Sequence, residues 1–269
     1  MEESWRWLIA VFGVLAVSVI LRDRFFRSSK NSELKMTLIS KRVITDNTAV
    51  YRFSAPVDFR LPIGQHVVIS RSVGDQRVSR PYTPIAVGNG WIELLIKIYR
   101  PTDRFPQGGV LSQYIDNLEI GSVVDARGPV GRMEYLGKGS FRFGGIEKNF
   151  TKIGMIAGGT GITPMYQIIQ AAESEVELSL LFANQTPTDI LLREELGRLK
   201  SISKLTLTVD RISDDLWKGS VGFIDEAKIK MSLPPPAPDV IVLICGPPPM
   251  TSLCRSLLSN LGYSEIFTF

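Results

Sequence analysis

The sequence predicts two domains, a six-stranded antiparallel β-barrel followed by a doubly wound, Rossmann-like α/β sheet, behind a short apolar N-terminal helix. Three observations predict this. At 269 residues the chain exceeds one small core and suits two of roughly 100 to 150 residues each. Short β-branched runs broken by Gly and Pro fill the first half, whereas near-continuous apolar strands alternate with helical stretches in the second. An uncharged run from Trp7 to Leu21 precedes both.

Residues 1–30 are expected to form a membrane anchor and its basic flank. The run WLIAVFGVLAVSVIL, with Trp5, Phe25 and Phe26 just outside it, would span roughly 22 Å as a helix. That is short of the ~30 Å hydrocarbon layer unless its flanks snorkel or the membrane is thin. A cleaved signal starts basic and ends in small residues, but this one begins Met1-Glu2-Glu3 and ends Leu21-Arg22-Asp23-Arg24. An uncleaved single-pass anchor is therefore expected rather than a signal peptide or a buried core helix. Arg22, Arg24, Arg27 and Lys30 lie on its C-terminal side, so the rest of the chain belongs in the cytosol, where unpaired cysteines are stable.

A hydrophobic fraction of 44% with 22% charged residues leaves no room for extensive disorder. The net charge of +4 is concentrated partly in residues 1–30, which carry five basic and three acidic side chains. No Lys/Arg run interleaved with aromatics occurs elsewhere, which argues against a nucleic-acid partner and leaves a modest basic face for an acidic protein. Cys245, Cys254 and His66 are too few for a metal cage or an iron–sulfur cluster. No metal is expected, and any redox chemistry must use an organic cofactor.

Residues 34–136 form the expected barrel domain, with strands in MTLISKRVI, AVYRFSA, GQHVVIS, WIELLIKIY and SVVDARGPV and one helix over Leu111 to Asn117. Residues 137–151, GKGSFRFGGIEKNFT, are rich in Gly and charge and read as a linker. Residues 152–269 then carry apolar strands in KIGMIAGG, VELSLLFAN, KLTLTVD and DVIVLICG, with helices over Pro164 to Ala172 and Ile190 to Lys200. That alternation predicts a parallel sheet.

Four short segments carry chemistry. Ala157-Gly158-Gly159-Thr160-Gly161-Ile162-Thr163-Pro164-Met165 follows a strand and opens a helix, so its glycines allow close approach and its helix end offers free N–H groups to an anion. A tight strand-to-helix turn also uses glycine, and this is not the common G-x-G-x-x-G pattern. Cys245-Gly246-Pro247-Pro248-Pro249-Met250 makes a second special turn on the same carboxyl edge, where open parallel sheets bind ligands. Cys245 also fits a plain core position. In the barrel, Arg80-Pro81-Tyr82-Thr83-Pro84 combines a fork of donors, a flat ring and a hydroxyl, although Tyr and Thr are common in strands anyway. Gly108-Gly109-Val110-Leu111-Ser112 enters the short helix and is a second candidate phosphate cradle.

In this order and on these architectures, the four segments resemble the ferredoxin–NADP reductase superfamily, and most closely the NADH–cytochrome b5 reductases, over essentially all of Leu34 to Phe269. The short anchor is also similar to that of the family's membrane-bound forms, which implies the endoplasmic reticulum or the mitochondrial outer membrane. The resemblance implies FAD and NADH as cofactors. Arg80 would contact the FAD pyrophosphate, Tyr82 its ribityl and ring region, and Thr83 the flavin near N5, with Pro81 among the cofactor-binding residues. His66 would support Thr83 through hydrogen bonds. Lys97 would lie near NADH and Tyr99 near FAD, while Gly108, Gly109, Val110, Leu111 and Ser112 would cradle the pyrophosphate. The family often has a basic residue where this chain has Val110. Arg127-Gly128-Pro129 with Gly131 would close the barrel.

In the second domain the resemblance has Gly159, Thr160, Gly161, Thr163 and Pro164 framing the nicotinamide and its phosphates. Cys245, Gly246, Pro247, Met250 and Phe269 complete that set. Phe182 to Gln185 and Asp189 to Leu192 resemble the adenine side, and Asp210 matches the acidic residue that selects NADH by accepting from a ribose 2′-OH. Thr83, His66 and Lys97 are the implied catalytic residues. The implied reaction moves a hydride from nicotinamide C4 to flavin N5 without a protein acid or base, then passes electrons singly to cytochrome b5 or a similar acidic haem protein. The chain is expected to be monomeric. A flavin reductase feeding an oxygenase would use the same fold; a non-catalytic NADH sensor or a structural membrane adaptor would not need the intact flavin set.

Overall fold

The computed structural model describes residues 32–103, 105–172, 176–199, 201–212 and 216–269. The expected anchor, Trp7 to Leu21, lies outside the described residues. Among the described residues no helix is long and apolar enough to cross a membrane.

The first domain contains β1 (Ser32–Thr45), β2 (Thr48–Ser54), β3 (His66–Val73), β4 (Gln76–Tyr82), β5 (Ala86–Gly88), β6 (Trp91–Lys97), the helix Val110–Asp116 and β7 (Val123–Val130). These form seven strands rather than six, all antiparallel, in the order β4-β3-β7-β1-β2-β6-β5. The hydrogen-bonded order ends at β4 and β5, so the barrel is open there, with β4 lying against β6. The two strands outside the five runs named from the sequence, β4 and β5, escape a sequence reading because both are edges. β4 carries Pro81, which an edge tolerates, and β5 is too short for an alternating pattern. Met36, Leu38, Tyr51, Phe53, Val67, Ile69, Ile92 and Leu94 fill the interior, and Leu111 and Ile115 of the helix close one end.

Residues 137–151, expected as a linker between the domains, are folded into strands. With the preceding residues they build β8 (Met133–Gly137), β9 (Ser140–Phe143) and β10 (Ile146–Asn149), a three-stranded antiparallel meander. The Gly-rich composition encodes its hairpins: Lys138 and Gly139 have φ of 52° and 76°, Gly144 and Gly145 of 56° and 100°, the left-handed pairs that tight hairpins need. Phe141 lies 4.9 Å from the Tyr135 ring and 6.0 Å from that of Phe150, while Phe143 reaches Phe267 at 5.5 Å. These aromatics fasten the meander to the second domain.

That domain is a six-stranded, fully parallel sheet ordered β14-β13-β12-β11-β15-β16, with β11 (Lys152–Gly158), β12 (Glu177–Asn184), β13 (Ile202–Val209), β14 (Ser220–Val221), β15 (Val240–Cys245) and β16 (Ile266–Thr268). β11 is buried along nearly its whole length, as expected for a strand covered on both faces. The helix Ile162–Ala171 starts two residues before its expected stretch, Arg193–Arg198 lies within its own, and Glu226–Ser232 and Pro248–Asn260 add to them. The chain order reverses between β11 and β15, where such sheets bind ligands.

One carboxylate ties the first domain's helix to its sheet. The buried Tyr51 donates its hydroxyl to Asp116 Oδ1 at 2.8 Å, Lys41 Nζ reaches the same oxygen at 2.6 Å, and Arg100 approaches Oδ2 at 3.3 Å. Burial raises the Asp116 pKa, but hydrogen bonds from Lys41 and Tyr51 and the nearby positive charges outweigh it, and the carboxyl is held below its ordinary value. A lowered native pKa stabilises the fold above the unfolded carboxylate pKa, and that contribution disappears as pH falls through the native value. Asp116→Asn is therefore expected to lower urea stability at neutral pH by about 1–3 kcal/mol. The gap to the wild type should close in acid; a gap independent of pH would overturn this account.

Candidate active site

The turn after β11 combines open space with tight backing. Gly159 has φ of 54°, and a Cβ there would meet nothing within 4 Å. Behind it, a Cβ on Gly161 would sit 2.2 Å from the Cys245 carbonyl oxygen, and one on Gly158 would sit 2.6 Å from Met250 Sδ. The turns following β11 and β15 thus touch backbone to backbone, which only glycine allows. The helix Ile162–Ala171 runs straight on from the 3-10 turn Gly159–Gly161, whose Gly159 and Thr160 carbonyls accept the N–H groups at its start, and Pro164 has none, so room for a ligand is left chiefly by the open face of Gly159. Thr163 Oγ1 donates to the Thr160 carbonyl at 3.1 Å, so Thr163 braces the turn, and Pro164 is buried behind it.

Farther along the same edge, Asp210 N–H donates to the Asn184 carbonyl at 3.0 Å, fixing the ends of β12 and β13 together. The Asp210 side chain is exposed; residual burial raises its pKa against the lowering effect of Arg211. Asn184 is only 6% exposed, yet its Oδ1 and Nδ2 both lack a partner. A buried amide with no protein partner suits a site that a polar ligand completes. Phe269 reaches the same edge, its N–H bonded to the Ile244 carbonyl at 3.1 Å and its ring set edge-on to Phe267 at 5.1 Å. Burial pushes the Cys245 thiol up to about 12, so it stays protonated and acts by shape rather than as a nucleophile.

On the barrel side, Arg80, Tyr82 and Tyr99 are neighbours. Burial raises the Tyr82 phenol well above the usual tyrosine range, with the Arg80 charge opposing the shift and Tyr99 adding to it. Arg80 is exposed, its Nη1 held by the Ser79 carbonyl at 2.8 Å. The Tyr99 ring is half exposed, while its backbone is stitched to the next turn: its N–H donates to Ser112 Oγ at 3.2 Å and its carbonyl accepts from Gly109 N–H at 2.7 Å. Gly108 N–H likewise goes to the Phe105 carbonyl at 3.0 Å. Gly108, Gly109 and the Ser112 hydroxyl are therefore scaffold. The donors left for a phosphate are the first helical N–H groups, those of Val110, Leu111 and Ser112, since intrahelical bonding begins with Gln113.

His66 sits half-buried at the start of β3, and burial, with the Arg127 charge, lowers its pKa so that the ring is neutral near pH 7. No hydrogen bond joins His66 to Thr83 among the described residues. The loops bearing these two residues are instead tied to a side chain that motif reading overlooked: Gln167 accepts from Gly64 N–H and donates to the Pro84 carbonyl, both at 2.9 Å. The one signal for it is a polar residue within the otherwise buried run Ile162 to Ile169. Lys97 Nζ is paired with Asp189 Oδ1 at 2.9 Å, each side chain 18% exposed, and Thr186 Oγ1 donates to Asp189 at 2.7 Å. Lys97 thereby links the two domains at the cleft.

Residues 35–135 match the oxidoreductase FAD-binding domain family and residues 155–256 the oxidoreductase NAD-binding domain family. The open space over Gly159 and the orphaned Asn184 amide fit the second cofactor; the Tyr82 and Tyr99 rings beside Arg80 fit the first. The chain is 41% identical to NADH-cytochrome b5 reductase 1 of Homo sapiens, over 89% of this chain and 85% of that one. It is 38% identical to NADH-cytochrome b5 reductase 2 of Xenopus tropicalis, over 97% and 95%. The cytochrome b5 reductase domain of Ulva prolifera nitrate reductase superposes with a TM-score of 0.82 at 36% identity, covering 88% of this chain and 97% of that one. With two nucleotide-binding halves that meet at one cleft, and this degree of identity over most of its length, the chain belongs to the NADH-cytochrome b5 reductase family of FAD-dependent oxidoreductases.

Proposed function

We propose that this chain takes a hydride from NADH through bound FAD and delivers the electrons singly to cytochrome b5 or a similar acidic haem protein. The observation that carries this reading is that the two nucleotide halves meet at one cleft, through Gln167 with the Pro84 carbonyl beside Tyr82 and Thr83 and through Lys97 with Asp189. FAD supplies the change from a two-electron donor to a one-electron acceptor, and the protein positions and shields. Residues 34–136 would hold FAD, with Arg80 on the pyrophosphate, Pro81, Tyr82 and Tyr99 along the isoalloxazine and ribityl chain, and Thr83 near N5. The Val110, Leu111 and Ser112 amides would complete the phosphate contact.

Residues 152–269 would hold NADH. Gly159, Thr160 and Gly161 would receive the nicotinamide end, with Cys245, Gly246, Pro247, Met250 and Phe269 walling it. Asn184 and Asp210 would read the adenosine end. Residues 1–30 would anchor the chain, a reading supported by the uncharged run Trp7 to Leu21 and its basic flank. The active part would then face the cytosol as a monomer and present a basic face to the acceptor.

The full chain in detergent, titrated with NADH without oxygen, should lose its visible flavin band and regain it on adding oxidised cytochrome b5. A chain that takes up no flavin, or a band that NADH leaves unchanged, would overturn the reading. Reoxidation by free flavin but not by cytochrome b5 would move the acceptor to an oxygenase system.

Two substitutions separate the contributions of the NADH side. Asp210→Thr removes the carboxylate that repels a 2′-phosphate, so the preference for NADH over NADPH should fall by roughly tenfold or more, about 1.4 kcal/mol; unchanged discrimination would sink this assignment. Asn184→Leu replaces an unpartnered buried amide with an apolar group of similar shape. Urea stability of the NADH-free protein should hold or rise, while KM for NADH increases by roughly five- to thirtyfold, ~1–2 kcal/mol. A loss of stability with KM unchanged would mean the amide serves the fold instead.

A further inference from the structure

We infer that Gln167 is a positioning residue that sets the gap between nicotinamide and flavin, by clamping both flavin-side loops to the helix that begins at the nucleotide turn. The inference rests on the function proposed above. Gln167 Oε1 accepts from Gly64 N–H and Nε2 donates to the Pro84 carbonyl, 103 and 83 residues away in sequence. One orientation of the amide satisfies both, because the N–H needs an acceptor and the carbonyl a donor.

Each end of the clamp is itself held. Gly64 adopts φ of 92°, and a Cβ there would lie 2.9 Å from Met133 Sδ, so the loop that aims this N–H is fixed from behind. The neighbouring Ile63 carbonyl accepts from Tyr135 N–H at 2.8 Å, and Gln65 N–H donates to the Pro62 carbonyl at 3.0 Å. His66 follows Gly64 by two residues and Thr83 directly precedes Pro84, so one amide anchors the backbone beside both residues assigned to the flavin. On the other side, Gln167 stands one turn beyond Thr163 on a helix whose Ile162, Met165 and Ile168 are fully buried. The clamp cannot shift without that helix, and the helix starts at Gly159–Gly161.

Hydride transfer requires reacting atoms about 3–3.5 Å apart, and here each reactant is held by a different domain. The apolar interface brings the domains together but is non-directional; hydrogen bonds fix register. Another directional link at the cleft, Lys97 with Asp189, is an ion pair and keeps some salt dependence even at 18% exposure, whereas two neutral hydrogen bonds have none. Gln167 therefore holds the register at any ionic strength.

The test uses FAD-loaded full chain, stopped-flow reduction by NADH without oxygen across pH 5 to 8, and NMR exchange of the Gly64 amide. In Gln167→Leu both bonds are gone: flavin reduction should slow by roughly ten- to a hundredfold with NADH affinity nearly unchanged, and Gly64 N–H should exchange faster. Gln167→Glu discriminates a clamp from a merely structural residue. Its carboxylate still accepts from Gly64 but repels the Pro84 carbonyl, so Gly64 stays protected while reduction is slow at neutral pH. Protonation restores a donor, so its rate should approach the wild type as pH falls. A Leu variant with normal flavin content and an unchanged reduction rate overturns the role, as does a Glu variant whose ratio to wild type is independent of pH. If the Leu variant loses flavin, the Glu profile decides. A wild type that NADH does not bleach removes the proposed function and this role with it; wild-type bleaching with indifferent variants removes the role alone.

Discussion

Strands β2 and β6 belong to two cores at once, and the arrangement of the whole site depends on this. Along β2, Ala49, Tyr51 and Phe53 face the barrel interior, and along β6 so do Ile92, Leu94 and Ile96. The intervening Val50 and Leu95 point the opposite way, with Ile85, into a cluster that continues through Met155, Ile162, Met165 and Phe182 of the second domain. At ~1.5–3 kcal/mol for each large aliphatic side chain buried, these three contribute on the order of 5 kcal/mol to domain docking. That is a sizeable share of the ~5–15 kcal/mol by which domains are usually stable. The second domain is thus seated on the barrel wall rather than tethered to it.

Seating alone does not align two ring systems. The aromatic meander β8–β10 extends the apolar contact as far as Phe267, and the Lys148–Glu265 pair closes its outer side at 2.7 Å. Alignment at the cleft falls to a few directional contacts and to glycines that let backbones meet. The Gly161 approach to Cys245 joins the two turns flanking the reversal of strand order, so the nucleotide site has a rigid floor made of main chain. Flexible side chains could not supply such a floor without the entropy of ordering them.

Local patterns made much of this legible in the sequence. The strands around Met36, Val50, Val68, Leu94 and Val124 show apolar periodicity, and the parallel strands are runs of Ile, Leu and Val, so both are readable from composition within a few residues. The turns at Gly159–Gly161 and Gly246 are readable because glycine there has a steric cause. What composition alone leaves open has a different origin. Gly144-Gly145 and Lys138-Gly139 carry the same composition in a hairpin as in a linker, and only partners such as Phe150 and Phe267 reveal which. Gly108 and Gly109 resemble phosphate-binding glycines, but their N–H groups answer Phe105 and Tyr99. Gln167 gives almost no local signal, since its partners are distant in sequence and both are backbone atoms.

His66, Tyr82 and Cys245, partly buried at the cleft, share one property that explains why geometry matters so much here. Burial lowers the His66 pKa and raises those of Tyr82 and Cys245, and Lys97 is paired with Asp189. Imidazole, phenol and thiol all remain neutral near pH 7, so none is poised to exchange protons. A hydride transfer asks no proton of the protein, and a site that held a half-titrated group would add a fluctuating charge beside the flavin. What the chain contributes is a constant electrostatic setting and a fixed distance. The first comes from burying its ionisable groups, and the second from a barrel wall that also serves as the floor of its neighbour.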